Sequence, residues 1–577
     1  MATDCETCCD ELKCEVDAIK ANVTNLFSRT DEIHTYLENE LPDENYVYRV
    51  VHNDTELLQA IGLGGDIYID APIVIGPALE IAIDGTKLIG LNDDAAIIRQ
   101  HNNVFGLGVI VVQALNVTIR NLKITSNHPL TYNENIEDVA ILISDVDDVS
   151  GLKIENCEIY NVAHGIYRQW ASDGVAYAPR STGVKINNNY IHSIVGYAMY
   201  LKQSFRSLDI VGNVLIGEVE GQDSHENAGN GVWLGNNSDY VNIERNRISR
   251  FGRHGIEFWN SQHIPAEYTN GNRSCKIYRN SVFDMLNHTG STLQNFCISA
   301  FGNESLLVGE NSCIGGDIGI EIYNDYVTDG EVLVHDNFVK GSSNQGMSVN
   351  GIRNGKFSDN IIRDIPSTHG MQIINGCRDT TFENNKFFDA GERNIFLNAF
   401  GLTITAIELA ANGWITVAED LSTGDAFYTW TIGKLVTFKD IVGTTELNDN
   451  FYTITEIDKS GVVGTHKIRL GINTSAFTPW VSGGYFKEGF RNLAFKGNNF
   501  YHTKLIGVSG NVQSIYVSDI SSSIFTDNTA WYVDSISANK FFMNGYSSIF
   551  IDIAGAAVTA AGYFVGENRV IPYKASN

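Results

Sequence analysis

The chain has 577 residues, a formal net charge of −28 and a pI of about 4.8. An average field of that sign repels polyanions and argues against nucleic acid as a partner. The sequence also lacks the run of ~18 apolar residues that a membrane-spanning helix needs, so no membrane insertion is expected.

Gly, Asn, Ile, Tyr and Phe are plentiful in this long chain. That composition favours β-structure with many turns, arranged as an elongated repeat rather than one compact domain. The N-terminus, MATDCETCCDELKCEV, has neither the basic start nor the apolar core of a secretory signal. Synthesis in a cytoplasm is expected. Cys5, Cys8, Cys9 and Cys14 crowd this end but lack the second half of a metal-ligand pattern.

Leu12, Val16, Ile19, Val23, Leu26, Thr30, Ile33 and Leu37 are spaced alternately four and three apart. This is a heptad seam, which is best buried against copies of itself. A parallel homotrimeric coiled coil over residues 1–44 is expected, stopped by Pro42. Next, NDTELLQAIG reads as a short helix with Asp54 as N-cap and Gly62 as its stop, covering the open end of a β-structure downstream.

A ladder then begins. An apolar residue, two mostly polar residues, an Asn and another apolar residue recur at ITSNHPL (Asn127), INNNYI (Asn189), IVGNVL (Asn213), IERNRI (Asn246) and IYRNSV (Asn280). They recur again at Asn311, Asn337, Asn360 and Asn385, with Cys157 taking the slot in IENCEI. Eight to ten residues later a Gly often opens an alternating stretch, as in GIYRQW, GVWLG, GIEFW, GIEIY, GMSVN and GMQII. Each period is expected to be one coil of a parallel β-solenoid. Alternating apolar side chains fill the bore, and Asn takes the left-handed turn and bonds to the next Asn. Residues 45–402 are assigned to it. Residues 403–486 lose the pattern and read as short strands of an inserted small β-barrel. The ladder returns at Asn498, with Asn539 as a further candidate, and residues 487–577 are read as solenoid and C-terminal β cap.

The ladder resembles the right-handed parallel β-helix of the pectate-lyase-like superfamily. GTTELNDNFYTITEID followed by LGINTSAFTPWVSGGY resembles the FCCH-like barrel module found in phage tail proteins, departing from it at Asp449 and Trp480. The order of coiled coil, β-helix, barrel and cap resembles bacteriophage tailspikes and related receptor-binding proteins. The resemblance implies an all-β homotrimer, attached to a virion tail or baseplate by its N-terminus, that binds and often cleaves a bacterial surface polysaccharide.

Alternation in the second strand of each coil assigns the candidate site. Ile256, Phe258, Ile320 and Ile322 are expected inside. Glu257, Trp259, Glu321, Tyr323, Trp233, Tyr200, Lys202 and Tyr167 are expected outside, on one face. Stacked coils lie ~4.8 Å apart, so Glu257 and Glu321, two coils apart, would be separated by ~9.6 Å. Inverting glycosidases hold two carboxyls at ~6.5–9.5 Å, one donating a proton and one activating water. These two are the catalytic candidates, without assignment of which does which. The aromatics would stack on sugar rings. His225 and Glu226, with Asp223 and Glu267, lie in flanking loops as further substrate-binding candidates. The expected activity is glycoside hydrolysis with no cofactor and no metal. A noncatalytic receptor-binding spike is the alternative. A polysaccharide lyase using Arg253 or His254 is a second, and a Ca²⁺ site from Asp145, Asp147 and Asp148 is a nonspecific third element.

Overall fold

The structure is a computed structural model. It describes most of residues 48–572 and leaves out 1–47, 573–577 and connecting segments. The longest of these are 101–107, 129–137, 169–179, 218–228, 260–273, 287–293, 324–329, 422–429, 503–512, 533–540 and 551–563. The heptad seam and the N-terminal cysteines therefore lie outside the described residues, as does Asn127. Among the described residues no helix is long and apolar enough to cross a membrane.

The chain forms two compact units, 1–219 and 220–577. Both are all-β and built on three parallel sheets that each coil visits in turn. One coil of the first unit runs Lys153–Glu155, Glu158–Val162 and His164–Arg168. Its strands pair in parallel with Ser181–Asn187, Tyr190–Ile194 and Met199–Leu201 of the following coil. The inward residues Ile154, Ile159 and Ile166 are fully buried. A coil has no second layer of its own, so its apolar face is buried against neighbours.

The helix Asp54–Ile61 sits on the first strands of the first unit and buries Leu57, Ala60 and Ile61. Its N-cap is Asn53, not Asp54. Asn53 is extended, with φ −151°, and its Oδ1 accepts from the Glu56 amide at 3.0 Å. Gly62 is right-handed, with φ −65°. The left-handed turn comes two residues later at Gly64, φ 67°.

The asparagine ladder is present, with its turn chemistry divided between two residues. In the second unit Asn246, Asn280, Asn311, Asn337, Asn360, Asn385, Asn498 and Asn528 are all buried. Asn337 is typical. Its Nδ2 donates to Val308 O and Asn360 Oδ1, both at 2.9 Å, while its Oδ1 accepts from the backbone and side-chain N–H groups of Asn311 at 3.0 Å. The left-handed backbone belongs to the residue before the slot: Arg245, Arg279, Glu310, Asp336, Asp359 and Asn384 all have φ between 52° and 57°. The ladder Asn is thus chosen for its amide rather than for its φ. In the first unit the slot holds Cys157, Asn189 and Asn213. The coil before Cys157 fills it with Leu122, whose carbonyl accepts from Glu158 as the ladder requires. Asn127 was therefore misaligned. After Asn498 the slot is Asn528, and Asn539 lies outside the described residues.

The insertion leaves the solenoid after the strand Arg393–Asn398. Seven antiparallel strands follow, from Gly401–Ile407 to Tyr485–Glu488. The two end strands of this sheet, Phe451–Thr453 and Glu456–Asp458, are consecutive in the chain, so the sheet curls back on itself. It has its own core of Val436, Phe438, Leu447, Ile454, Ile468 and Phe486. The coil then resumes in register: Thr381–Glu383 pairs with Ala494–Lys496, and Asn385 Nδ2 donates to Asn498 Oδ1 at 3.0 Å across 113 residues. Inside the bore, Phe357, Phe382, Phe495 and Phe525 stack with centroids 4.9–5.2 Å apart. Each such aromatic pair contributes ~0.5–1.5 kcal/mol beyond burial, so the solenoid is continuous through the insertion in packing as well as in hydrogen bonding.

Candidate functional site

The third sheet of the second unit carries Glu257 and Glu321. Strand His254–Phe258 pairs with Phe296–Phe301, which pairs with Ile318–Tyr323. Register places Trp233, Glu257, Ser299, Glu321, Ser348, Gln372 and Phe396 in one row, one per coil. The coil between the two glutamates is the one expected. Ile256, Phe258, Ile320 and Ile322 fill the bore, so the row faces away from it.

One local device was not legible from alternation. Gly255 faces the bore: a Cβ there would lie 2.4 Å from Val282 Cγ1. Gly255 and Ile256 thus point inward in succession, and His254 emerges on the same side as Glu257. Its Nδ1 lies 2.9 Å from Glu257 Oε2, off the line of a good hydrogen bond. Asn230 Nδ2 donates to the same oxygen at 2.6 Å. Strict alternation extended back from Ile256 would point His254 inward, so alternation alone does not show this pairing. His254 is buried, and Arg247 lies over the Phe283 ring at 4.9 Å.

The two carboxyls differ in protonation. Burial pushes the Glu257 carboxyl up, but His254, Arg253 and Asn230 together pull it further down, and it ends below the usual value. Burial lowers His254 by more than Glu257 raises it. At neutral pH the pair is a carboxylate beside a neutral imidazole. Glu321 is the opposite case. Burial, with the charge of Glu257, raises it to about 7, against hydrogen bonds from Ser299 and Ser348; the Ser299 Oγ donates to Oε2 at 3.1 Å. Environments that push two carboxyls apart in this way separate an acid from a base.

This predicts a pH dependence of stability. The folded-state value of about 7 lies above the usual 4.5. The unfolded chain therefore releases this proton first, and stability falls as pH rises from about 4.5 to about 7, then levels, by about 3 kcal/mol. Glu321→Gln should flatten that decline in urea midpoints measured across the same range.

The expected exposure of the face needs correction. Glu257 is 1% and Glu321 4% exposed, and Tyr323 and Tyr167 are also buried. Outward orientation on a strand does not by itself ensure solvent contact. Trp233, Trp259 and Tyr200 are half-buried. Beside the carboxylate row, Trp259, Phe301 and Tyr323 form an aromatic series with centroids 4.9 and 5.0 Å apart. Phe301 was not singled out from sequence, although its place two residues after Ser299 marks it. Tyr167 and Tyr200 belong to the first unit, where they stack at 4.6 Å and 14°. Tyr197 and His164 complete that cluster. His225, Glu226, Asp223 and Glu267 lie outside the described residues.

Among the described residues no three His, Cys, Asp or Glu side chains are grouped as a metal ion would need. In SDVDDVS, Asp147 accepts from Ser144 Oγ at 2.7 Å and Asp148 from Ser150 Oγ at 2.6 Å.

Residues 92–215 match the family described as the right-handed beta helix region. The fold is a right-handed parallel β-helix. Comparison with the curated proteins finds no match. Among solved structures, the β-helix is similar to the catalytic unit of a GH87 alpha-1,3-glucanase from Streptomyces thermodiastaticus strain HF3-3. Identity is 12% and the TM-score 0.45, over 60% of this chain and 62% of that one. It is also similar to the Dettilon tailspike protein, at 13% identity and TM-score 0.37, over 75% and 90% of the two chains. Tailspike protein 3 of bacteriophage CBA120 follows at 11% and 0.40, over 60% and 56%. The chain thus spans less than two thirds of the glucanase unit and of the CBA120 protein. At these identities no residue role carries over.

Proposed function

We propose that the β-helix recognises a bacterial surface polysaccharide and cleaves it by glycoside hydrolysis, with Glu321 as the proton donor and Glu257 as the base. One observation carries this reading: two carboxyls in one outward row, two coils apart, in surroundings that lower one and raise the other to about 7. The coil spacing puts their backbones ~9.6 Å apart, at the upper end of the range that leaves room for a water in an inverting mechanism. The base activates that water, and the acid protonates the leaving oxygen. Trp259, half-buried at the end of the aromatic series with Phe301 and Tyr323, offers apolar surface for a sugar ring beside the same coils. Ser299 donates to one Glu321 oxygen, while His254 and Asn230 hold the charge of Glu257.

The heptad seam supports a trimeric spike joined to a virion tail at its N-terminal end, and light scattering on the full chain tests the trimer. A noncatalytic receptor-binding spike is the second reading. The burial of both carboxyls favours it, because buried charged pairs also serve structure. Incubation of the full chain with the capsule or lipopolysaccharide of a host decides between them. Hydrolysis gives shorter chains with new reducing ends and no new ultraviolet chromophore. Elimination gives unsaturated, absorbing ends and sinks the hydrolytic assignment. Binding without shortening leaves the noncatalytic spike.

A further inference from the structure

The coils that follow the carboxylate pair carry a second, basic cluster. His369 pairs in register with Arg393, and Gln372 with Phe396. The Arg393 guanidinium lies over the Phe396 ring, 4.4 Å from its centroid, and the His369 ring lies against the same ring at 4.3 Å. Phe396 thus holds both groups in place. His369 is 7% exposed, and its Nδ1 makes no hydrogen bond among the described residues. A buried polar atom without a partner costs ~1–3 kcal/mol, and a ligand that supplies the partner recovers that cost. Burial and Arg393 push the imidazole down to about 4, so at neutral pH it is a neutral hydrogen-bonding group beside a permanent cation.

The same coils hold a second, independent feature at the opposite edge of the sheet. Arg353, Arg378 and Arg491 stand in register on successive coils. Ile352, Cys377 and Phe490, which precede them, are fully buried, so the arginines lie on the outer side. Asp379, next to Arg378 in the chain, accepts from Asn492 Nδ2 at 2.7 Å. Unit charges ~4.8 Å apart repel by about 1 kcal/mol even in water, and like charges directly opposite on a sheet destabilise it. The row is retained in a chain with 68 acidic and 40 basic residues, where three adjacent cations are not what average composition produces.

We propose that these coils form a subsite for an anionic sugar residue, whose charged substituent is held by Arg393 and His369, with the arginine row attracting charge along the other edge. Arginine suits this role because its planar fork meets carboxylate and sulfate oxygens in pairs. A net charge of −28 repels an acidic glycan on average, so a local cationic patch is what would admit one. The inference rests on the reading of this face as glycan-binding and narrows it to acidic glycans.

The test is ligand-observed saturation-transfer NMR on the full chain with D-glucuronate, glucose 6-sulfate and glucose. Both charged sugars, or one of them, should bind at least about tenfold more tightly than glucose. Glucuronate alone assigns a carboxylate, and the sulfate alone assigns a tetrahedral anion. Arg393→Met should remove the preference, and Arg393→Lys should retain part of it. Binding of both charged sugars no tighter than glucose by the wild-type chain overturns the proposal even if a variant fails to fold, and so does an unchanged Arg393→Met. Polysaccharide cleavage without a preference for charge defeats this inference alone. A preference for charge without cleavage defeats the hydrolytic reading alone.

Discussion

Glu321→Gln and Glu257→Gln should each reduce polysaccharide cleavage by about a thousandfold while leaving adhesion intact, since a positioned acid or base contributes ~10²–10⁴ in rate. The two losses have different causes. Glutamine at 321 keeps the shape and the hydrogen bond from Ser299 but has no proton to give. Glutamine at 257 keeps the contact with Asn230 but cannot accept a proton from water. The wild-type rate should fall as pH rises through about 7, where Glu321 loses its proton. His254→Phe removes the neighbour that counteracts burial at Glu257, so the acidic limb should move to higher pH while the alkaline limb stays. A merely structural role for His254 would change stability without moving that limb. Proton NMR of the first product should show the inverted anomer.

Asn337→Ala should destabilise the second unit by about 3–9 kcal/mol, from the ~1–3 kcal/mol cost of each of three buried groups left unpaired. The substitution strands the Val308 carbonyl and both N–H groups of Asn311, all of which Asn337 satisfies. It also takes away a partner of Asn360 Oδ1. A loss of that size is a large share of a typical domain's ~5–15 kcal/mol. Urea unfolding followed by circular dichroism measures it. Lys340→Ala, at an exposed position on the next strand, should change the midpoint little. A shift at Asn337 no larger than at Lys340 would show that the ladder is not a main source of coil-to-coil stability.

The solenoid was legible because two signals repeat together: an apolar alternation that fills the bore and a polar slot that can only be satisfied by the next coil. Where one signal was weak, the reading slipped. ITSNHPL offers an Asn at a plausible spacing, yet the chain uses Leu122 there, because a buried apolar residue also fills the slot. The coil positions of Glu257 and Glu321 followed from counting periods. Their burial did not, because alternation reports only the direction of a side chain and not its solvent contact. The contact between His254 and Glu257 was hidden for a related reason. It needs Gly255 and Ile256 to face inward in succession, which breaks the period of two on which the reading relied. The basic cluster escaped notice because His369, Arg393 and Phe396 are spread over 28 residues of sequence and meet only through register.

The most direct test is a structure of the full chain bearing Glu321→Gln with an oligosaccharide of the host polysaccharide bound. The account predicts sugar along the third sheet of the second unit, with a glycosidic oxygen beside residue 321, a water or open space toward Glu257, and a ring over Trp259. An oligosaccharide bound on another face, with residues 257 and 321 still closed off from it, would contradict the account.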